Sequence, residues 1–375
     1  MIKRIIEKKI ESKFDTKKAI IILGARQTGK TTLLKSIFLN KKNVLWLNGD
    51  DPAVRLNFQN ISINKLRNIV GDKKYIVIDE AQMISDIGLK MKLITDYFDN
   101  IQLIASGSSS FELANRVNEP LTGRKWEFKL FPLSFKEMVD YHGYWEEYNQ
   151  LENRMIYGYY PDVVLSENNK IEILNSLASD YLYKDILIWN KIKKSDKLLK
   201  LLQALAFQVG SQVSYSELGL MCGLNHETVE SYIDLLQKSF VIFKLTSFSR
   251  NLRNELKKSK KIYFYDNGIR NAIIANFNPI ILRNDIGALW ENFIISERIK
   301  YTSYNNLYSN KYFWRTNKQK EIDYIEEYGG KLHAYEFKWN KKVKLKVPKS
   351  FISTYPDAEL QIINPDNFGP FIGID

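Results

Sequence analysis

The segment GARQTGKT, residues 24–31, constrains this chain more than any other part of its sequence. It follows the apolar run AIIIL and opens a segment with helical character, which is the context that the pattern G-x-x-x-x-G-K-[ST] requires. Glycines let a backbone wrap closely around phosphate oxygens, and the start of a helix offers free N–H groups and partial positive charge. The sequence therefore predicts a phosphate-binding loop between a strand and a helix.

This loop predicts a site for ATP and Mg²⁺. The side chain of Lys30 would reach the β- and γ-phosphates, and Thr31 would offer its hydroxyl to Mg²⁺. The expected nucleotide-binding residues are Gly24, Ala25, Arg26, Gln27, Thr28, Gly29, Lys30, Thr31, Thr32 and Asp79.

A second motif, YIVIDEAQ (75–82), contains two carboxylates and is the expected partner of the loop. Asp79 ends an apolar strand, where it would help to hold Mg²⁺. Glu80 would polarise the attacking water, and this favours hydrolysis over nucleotide storage. Ser108 would contact the γ-phosphate or this water, although a plain turn explains it equally well. Arg124 would stabilise transition-state charge in its own or a neighbouring subunit; a structural salt bridge is the alternative.

Short apolar runs alternate with helical segments in the first part of the chain. The predicted strands are AIIILG (19–24), VLWLNGD (44–50), YIVIDE (75–80) and IQLIASGS (101–108), and the predicted helices are Lys30–Leu39, about Ala53–Val70, and Ile87–Phe98. Such alternation indicates a parallel sheet covered by helices on both faces. The expected fold class is α/β, with a P-loop NTPase sheet in residues 1–135.

The middle of the chain predicts a helical connector over residues 136–195 and a winged helix over 196–280. In the stretch SELGLMCGLNHETVESYIDLLQKSFVIFKL, Ser216 would cap a first helix, Gly223 would form a turn and Asn225 would cap a second helix. Two strands follow, VIFKLTSF and KKIYFYD, joined by the basic segment RNLRNELKKSK.

The expected winged helix has two possible uses. One is DNA contact through the second helix and the basic wing, residues 250–261. The other is packing against protein. The second helix carries Glu227, Glu230 and Asp234, which are unfavourable beside DNA phosphates, so the wing is the better candidate for DNA contact.

The whole chain resembles prokaryotic AAA-type ATPases that join a P-loop domain to a C-terminal domain of unknown function. The similar segments are GARQTGKTT (24–32), IVIDEAQ (76–82), SGSSS (106–110), LTGR (121–124), FPLSFKE (131–137), YGYYPDVV (157–164), YLYKDI (181–186), KIYFYDNGIRNAI (261–273) and ALWENF (288–293). The resemblance implies an ATPase core, a helical and winged-helix middle, and a restriction-endonuclease-like C-terminus. One departure is Tyr159-Tyr160 before Pro161, where relatives commonly carry a second small glycine.

The last block, residues 281–375, predicts one helix, three strands, one helix and one strand, which is the core of the PD-(D/E)xK nuclease fold. Asp323 and Glu336 would converge on Mg²⁺ from adjacent strands, and Lys338 would lie beside the attacking water. Glu291 would complete the metal site from the helix upstream. Glu297 is its rival, because six helical residues place the two side chains on different faces. A chance arrangement and a retained fold without nuclease activity both remain alternatives.

Composition gives weaker indications of partners and location. Lys and Arg number 55 against 43 Asp and Glu, a formal net charge of +12, with clusters at Arg250–Lys261 and Lys338–Lys349. An anionic partner, most simply DNA, is expected. One cysteine fits a reducing cytoplasm. No apolar run is as long as a membrane span, so no membrane partner is expected, and a homo-oligomer is possible.

Overall fold

The computed structural model of this protein describes residues 1–59, 61–107, 120–181, 195–249, 259–316, 318–342 and 348–374. The chain forms two units. The first consists of Met1–Leu133 with Lys238–Phe240, and the second of Ser134–Gln237 with Val241–Asp375.

The first unit is built on a five-stranded parallel sheet. Its strands are β1 (Ala19–Leu23), β2 (Val44–Asn48), β3 (Tyr75–Asp79), β4 (Gln102–Gly107) and β5 (Lys125–Lys129), in the order β2-β3-β4-β1-β5. Every residue of the interior strand β1, which lies between β4 and β5, is at most 1% exposed. Burial on both faces explains why this strand is continuously apolar rather than alternating. The predicted α/β class with a parallel sheet is therefore confirmed.

Helices connect these strands. They are α1 (Ile6–Glu11), α2 (Lys30–Phe38), α3 (Pro52–Phe58), α4 (Ile63–Val70) and α5 (Ile87–Tyr97), with a short 3-10 helix at Ala81–Met83. The prediction of one helix over 53–70 was wrong. Asp51 accepts a hydrogen bond from the N–H of Ala53, and Ser62 accepts one from that of Lys65, so each side chain caps a separate helix.

The second unit contains a mixed seven-stranded sheet. Its strands are β6 (Gln212–Val213), β7 (Ile242–Ser247), β8 (Lys260–Phe264), β9 (Asn310–Arg315), β10 (Glu321–Tyr328), β11 (Lys331–Phe337) and β12 (Glu359–Ile363). The order is β12-β11-β10-β9-β7-β8-β6, with parallel pairing only at β11–β12 and β7–β9 among these strands.

Helices of the second unit precede, interrupt and follow the strands. They are α6 (Phe135–His142), α7 (Tyr144–Asn149), α8 (Leu151–Tyr157), α9 (Pro161–Leu165), α10 (Lys170–Ser176), α11 (Ser195–Phe207), α12 (Tyr215–Cys222), α13 (His226–Lys238), α14 (Asn267–Ile273), α15 (Ile286–Tyr304) and α16 (Lys349–Thr354), with a π-helix at Leu177–Tyr181 and 3-10 helices at Ile280–Leu282 and Pro370–Ile372.

The segments 196–280 and 281–375 share one sheet, because β7 pairs with β9 at Thr246–Tyr312 and Ser247–Phe313. They also share a hydrophobic cluster in which Phe248 packs with residues of β9 to β11 and α16. The division of the chain into four domains, at residues 135, 195 and 280, stays a prediction.

The turn between α12 and α13 has the expected geometry, but the residue that caps the start of α12 differs from the predicted one. Gly223 ends α12 in the left-handed region (φ 64°), and Asn225 accepts a hydrogen bond from the N–H of Thr228 (2.8 Å). The cap of α12, however, is Ser214, which accepts from the N–H of Glu217. The prediction of Ser216 as the cap was wrong because the helix begins one residue before it.

Candidate nucleotide and carboxylate sites

The loop 24–29 lies where β1 ends and α2 begins. Gly24 is required by close packing, since a Cβ there would lie 2.2 Å from the carbonyl oxygen of Leu130. Gly29 adopts φ +90°, which disfavours any other residue. Among the other predicted loop residues, Thr28 is buried and its hydroxyl donates to the Ala25 carbonyl (2.8 Å), whereas Arg26 is half-buried and Gln27 and Thr32 are exposed.

The ammonium group of Lys30 lies within this loop. Its Nζ donates to the carbonyl oxygens of Gly24 (3.1 Å) and Ala25 (2.7 Å), and the residue is only 4% exposed. Negatively charged phosphate oxygens would attract this buried ammonium more strongly than the neutral carbonyls do.

Three side chains meet at the ends of the neighbouring strands. The hydroxyl of Thr31 donates to Asp79 Oδ2 at 2.7 Å, and the hydroxyl of Ser106 donates to Asp79 Oδ1. These are oxygen donors of the kind that Mg²⁺ prefers, so Thr31 and Asp79 fit the predicted metal-binding role. Ser106 was not selected from the sequence, although its position at the end of a buried strand beside β3 is a usable signal. The predicted Ser108 lies outside the described residues.

Glu80 has a constrained backbone as well as a hydrogen-bonded carboxylate. Its φ of 49° and ψ of 44° are unusual for a residue other than glycine. A Cβ on Gly49 would lie 2.2 Å from the Glu80 carbonyl oxygen, and the Glu80 carboxylate accepts a hydrogen bond from Gln82 Nε2 at 2.6 Å. Backbone strain of this sort is often kept at functional sites, where the surrounding structure enforces it.

Arg124 is not brought to this site. It precedes β5, which pairs with β1 from Lys125 opposite Ala19, whereas the loop follows the other end of β1. The five residues of β1 separate the two edges by roughly 16 Å. Arg124 Nε donates to Asp96 Oδ1 at 2.7 Å, in an exposed ion pair. The hypothesis that Arg124 acts on its own loop is contradicted by this placement; action on a neighbouring subunit stays a prediction.

The second unit brings together the carboxylates predicted from the C-terminal block. Lys338 Nζ lies 2.7 Å from Glu336 Oε2 and 3.3 Å from Asp323 Oδ2, so β10 and β11 place both acids around one ammonium. Asp323 Oδ2 also accepts a hydrogen bond from the N–H of Phe337. Burial, with the nearby charge of Asp323, raises the pKa of Glu336 to about 7 despite the bond from Lys338.

Glu291, on α15, is bound by two residues of β8. Its Oε1 accepts hydrogen bonds from Tyr263 Oη (2.6 Å) and Lys261 Nζ (3.1 Å). Burial raises the pKa of Glu291 to about 7, with Asp323 adding to the rise and Lys261 opposing it. The rival Glu297 is 2% exposed and binds Lys300 Nζ (2.6 Å) and the Phe135 N–H (2.7 Å), which gives it a structural role.

Lys261 corrects the interpretation of the basic wing. It is 1% exposed and forms ion pairs with Glu291 and Glu321, so it is an internal cation rather than a surface contact for DNA. Lys260 is bound by Glu230 and lies over the ring of Tyr215. The rest of the predicted wing, residues 250–258, lies outside the described residues, as do residues 343–347 of the second basic cluster.

Glu291, Asp323 and Glu336 thus lie in one charged cluster together with Lys261 and Lys338, which we call the carboxylate–lysine cluster. Within the described part of the chain, no group of three or more His, Cys, Asp or Glu side chains is arranged to hold a metal ion. The donor types suit Mg²⁺, but the lysines occupy the carboxylate oxygens, so metal binding would require these contacts to be replaced. Lys261 and Tyr263, which both bind Glu291, were missed in the sequence analysis. Their spacing of two residues on β8 is a usable signal, because alternate residues of a strand face the same side of the sheet.

Three stretches of the chain match the sequence profiles of known protein families. Residues 16–139 match the sequence profile of an AAA domain. Residues 148–279 and 286–367 match two profiles described as a domain of unknown function, DUF8612 and DUF4143 respectively.

Relatives and a solved structure extend the similarity. An uncharacterized protein of Mycobacterium tuberculosis is 23% identical over 326 residues, covering 85% of this chain and 70% of that protein. Another, of Methanocaldococcus jannaschii, is 24% identical over 347 residues, covering 86% and 75%. The Walker-type ATPase of Pyrococcus abyssi superposes with a TM-score of 0.52 and 15% identity, over 73% of this chain and 96% of that one.

At this identity the structural likeness concerns the fold. Together with the AAA-domain match, it supports a P-loop ATPase for the part of the chain that carries the loop. No helix within the described ranges has both the length and the apolar character needed to span a membrane.

Proposed function

We propose that this protein binds and hydrolyses ATP with Mg²⁺, and that its nucleotide state controls the C-terminal part of the chain. The observation that carries the proposal is the contact between Thr31 and Asp79, which joins the loop to the end of β3 at 2.7 Å. An oxygen pair at this position, beside a buried lysine, suits a magnesium-bound triphosphate.

Each residue has a role that follows from its position. Lys30 would leave the carbonyls of Gly24 and Ala25 for phosphate oxygens, while Thr31 and Asp79 would hold Mg²⁺, which neutralises phosphate charge. Glu80 would orient the attacking water through the carboxylate oxygen that Gln82 does not bind. Ser106 would keep the Asp79 carboxylate in place.

The test is ATP turnover by the Lys30→Ala variant. We expect turnover to be abolished, because the variant lacks the ammonium that would reach the phosphates. The control is Lys35→Ala, which removes an exposed lysine one turn later in α2. Turnover by Lys30→Ala at the wild-type rate would contradict the assignment of the loop.

A second candidate function is metal-dependent cleavage of DNA by the carboxylate–lysine cluster. Its support is the convergence of Asp323, Glu336 and Lys338 on adjacent strands, an arrangement typical of PD-(D/E)xK nucleases. The helices α12 and α13 with the hairpin β7–β8 support a winged-helix interpretation, and the net charge of +12 favours DNA as the partner.

Cleavage is tested with plasmid and linear DNA, Mg²⁺ or Mn²⁺, and with or without ATP. We expect nicking that Asp323→Asn abolishes and that Glu327→Gln leaves intact, because Glu327 lies on the same strand but binds Asn310 instead of Lys338. Cleavage that survives Asp323→Asn would refute this site. If no metal supports nicking while nucleotide still changes DNA or protein binding, the alternative is favoured: a nucleotide-switched regulator or signalling ATPase with a catalytically silent nuclease-like interaction domain.

A further inference from the structure

Arg4 is buried beside the phosphate-binding loop although it lies outside the loop's sequence motif. It is 6% exposed, whereas the preceding residue, Lys3, is exposed. Burying a guanidinium is unfavourable unless its N–H groups find acceptors, so the position of Arg4 requires specific partners.

Two backbone carbonyls supply such partners, and one belongs to the loop. Arg4 Nη1 donates to the Thr28 oxygen, and Nη2 donates to the Phe131 oxygen, both at 2.7 Å. The two hydrogen bonds join the loop to the segment that follows β5.

The contact with Thr28 also sets the direction of an adjacent N–H group. In a trans peptide the carbonyl of one residue and the N–H of the next point in opposite directions. With the Thr28 oxygen held by Arg4, the N–H of Gly29 points away from Arg4. A Cβ on Gly29 would lie 3.7 Å from Arg4 Nη1, so the guanidinium lies directly beside the left-handed turn that opens α2.

We propose that Arg4 is a positioning residue of the nucleotide site: it fixes the turn at Thr28–Gly29 so that the loop N–H groups face the phosphates. This inference rests on the proposed ATP site. It predicts that nucleotide affinity depends on a residue twenty positions before the motif begins.

The test compares Arg4→Gln with Lys3→Gln, which remove equal charge from adjacent positions. Affinities for Mg-ADP and Mg-ATP are measured by equilibrium binding, together with the unfolding temperature without nucleotide. We expect Arg4→Gln to weaken both affinities at least about tenfold, the effect of losing one charge-assisted hydrogen bond, and Lys3→Gln to leave them unchanged. Arg4→Lys, which keeps the charge but not the fork, should be intermediate.

Affinities of Arg4→Gln within twofold of those of Lys3→Gln would overturn the proposal. So would a lowered unfolding temperature with unchanged affinity in the folded variant, which is the result of a merely structural arginine. If Arg4→Gln does not fold, Arg4→Lys is judged by the same criteria. A wild-type chain that binds no ATP overturns the proposed function itself, whereas normal binding by the arginine variants overturns only the role of Arg4.

Discussion

Asp79 and Glu80 are consecutive residues whose carboxylates have different surroundings. Asp79 ends β3 and receives the hydroxyls of Thr31 and Ser106, so its oxygens face the loop. Glu80 leaves the strand in a left-handed conformation, which turns its carboxylate toward Gln82. Under the proposed function, this strained backbone at Glu80 would keep the water-orienting carboxylate of Glu80 apart from the Asp79 carboxylate that would hold Mg²⁺.

This separation predicts that Glu80→Gln uncouples binding from hydrolysis. The amide keeps the size of the side chain but cannot act as a base, so the turnover number should fall by about 100-fold or more. The affinity for Mg-ATP should change little, because Lys30, Thr31 and Asp79 are intact. Rapid filtration binding and phosphate release measure the two quantities, and Glu127→Gln on β5 is the control. Parallel loss of both quantities would contradict the division of roles.

The local structure around the loop was largely predictable from the sequence, because the motif fixes a strand, a turn and a helix together. Contacts that depend on distant chain segments were not. Lys261 sits in a basic stretch, and only the folding of β8 against α15 shows that it binds Glu291. The role of Arg124 could not be predicted for the same reason, because its sequence position does not tell at which edge of the sheet it lies.

At the scale of elements, several segments of the second unit that carry the family resemblance meet in a buried polar network. Asp266 caps α14 through the N–H of Ile269 and accepts the N–H of Tyr159, and Asn292 bonds both backbone groups of Phe264. The resemblance to known proteins therefore covers packing residues as well as site residues. Tyr159, the departure noted above, is buried and donates to Glu147.

The contact between α8 and α14 predicts a strong effect of Gly268→Ala. A Cβ at Gly268 would lie 2.1 Å from the carbonyl oxygen of Tyr157, so the helices would have to separate. We expect a loss of about 3 kcal/mol in the free energy of unfolding. Gly287→Ala is the matched control in α15, where a Cβ meets nothing within 4 Å, and it should gain about 0.5 kcal/mol. Equal stability of the two variants in urea would contradict the packing described.

Elements with strong periodicity were predicted and weakly patterned ones were not. Strand β5 (KWEFK) was missed because it alternates charged and aromatic residues at the sheet edge and lacks the continuous apolar character of β1. The order helix–three strands–helix–strand after residue 281 was predicted and is present as α15, β9–β11, α16 and β12.

At the scale of the whole molecule, the seven-stranded sheet could not have been predicted. It depends on the pairing of β7 with β9, which are separated by β8, α14, α15 and their connections. Such long-range pairing leaves no local pattern in either strand, so the sequence did not indicate that one sheet runs through both segments.

The ion pairs that Asp285 forms with Arg270 and Arg283 make the stability of the second unit dependent on pH. Burial acts to raise the pKa of Asp285, but hydrogen bonds from Arg283 and Arg270 hold it below its usual value. A carboxyl group with a lowered pKa stabilises the folded state above its unfolded pKa, and that contribution disappears as pH falls through the folded pKa. Burial also lowers the pKa of Arg270, which shows that burying its charge is unfavourable. The ion pair between Arg270 and Asp285 therefore mainly offsets the cost of burying the two charges.

Asp285→Asn should therefore destabilise the protein by about 2 kcal/mol at pH 7, because two buried arginines lose their counter-ion. The difference from wild type should shrink as the pH falls below the ordinary aspartate range near 4. Urea unfolding across pH 3–7 measures it, with Asp72→Asn, at an exposed position, as the control. A difference that is the same at every pH would show that Asp285 contributes by shape alone.

The most direct test of the central claim is the rate of phosphate release from ATP by the purified wild-type chain, measured with Mg²⁺ and again with excess EDTA. We predict turnover that requires the metal and that Asp79→Asn reduces strongly, because Thr31 and Asp79 together would hold the ion. Turnover that is equal with Mg²⁺ and EDTA, or unchanged in Asp79→Asn, would contradict the account.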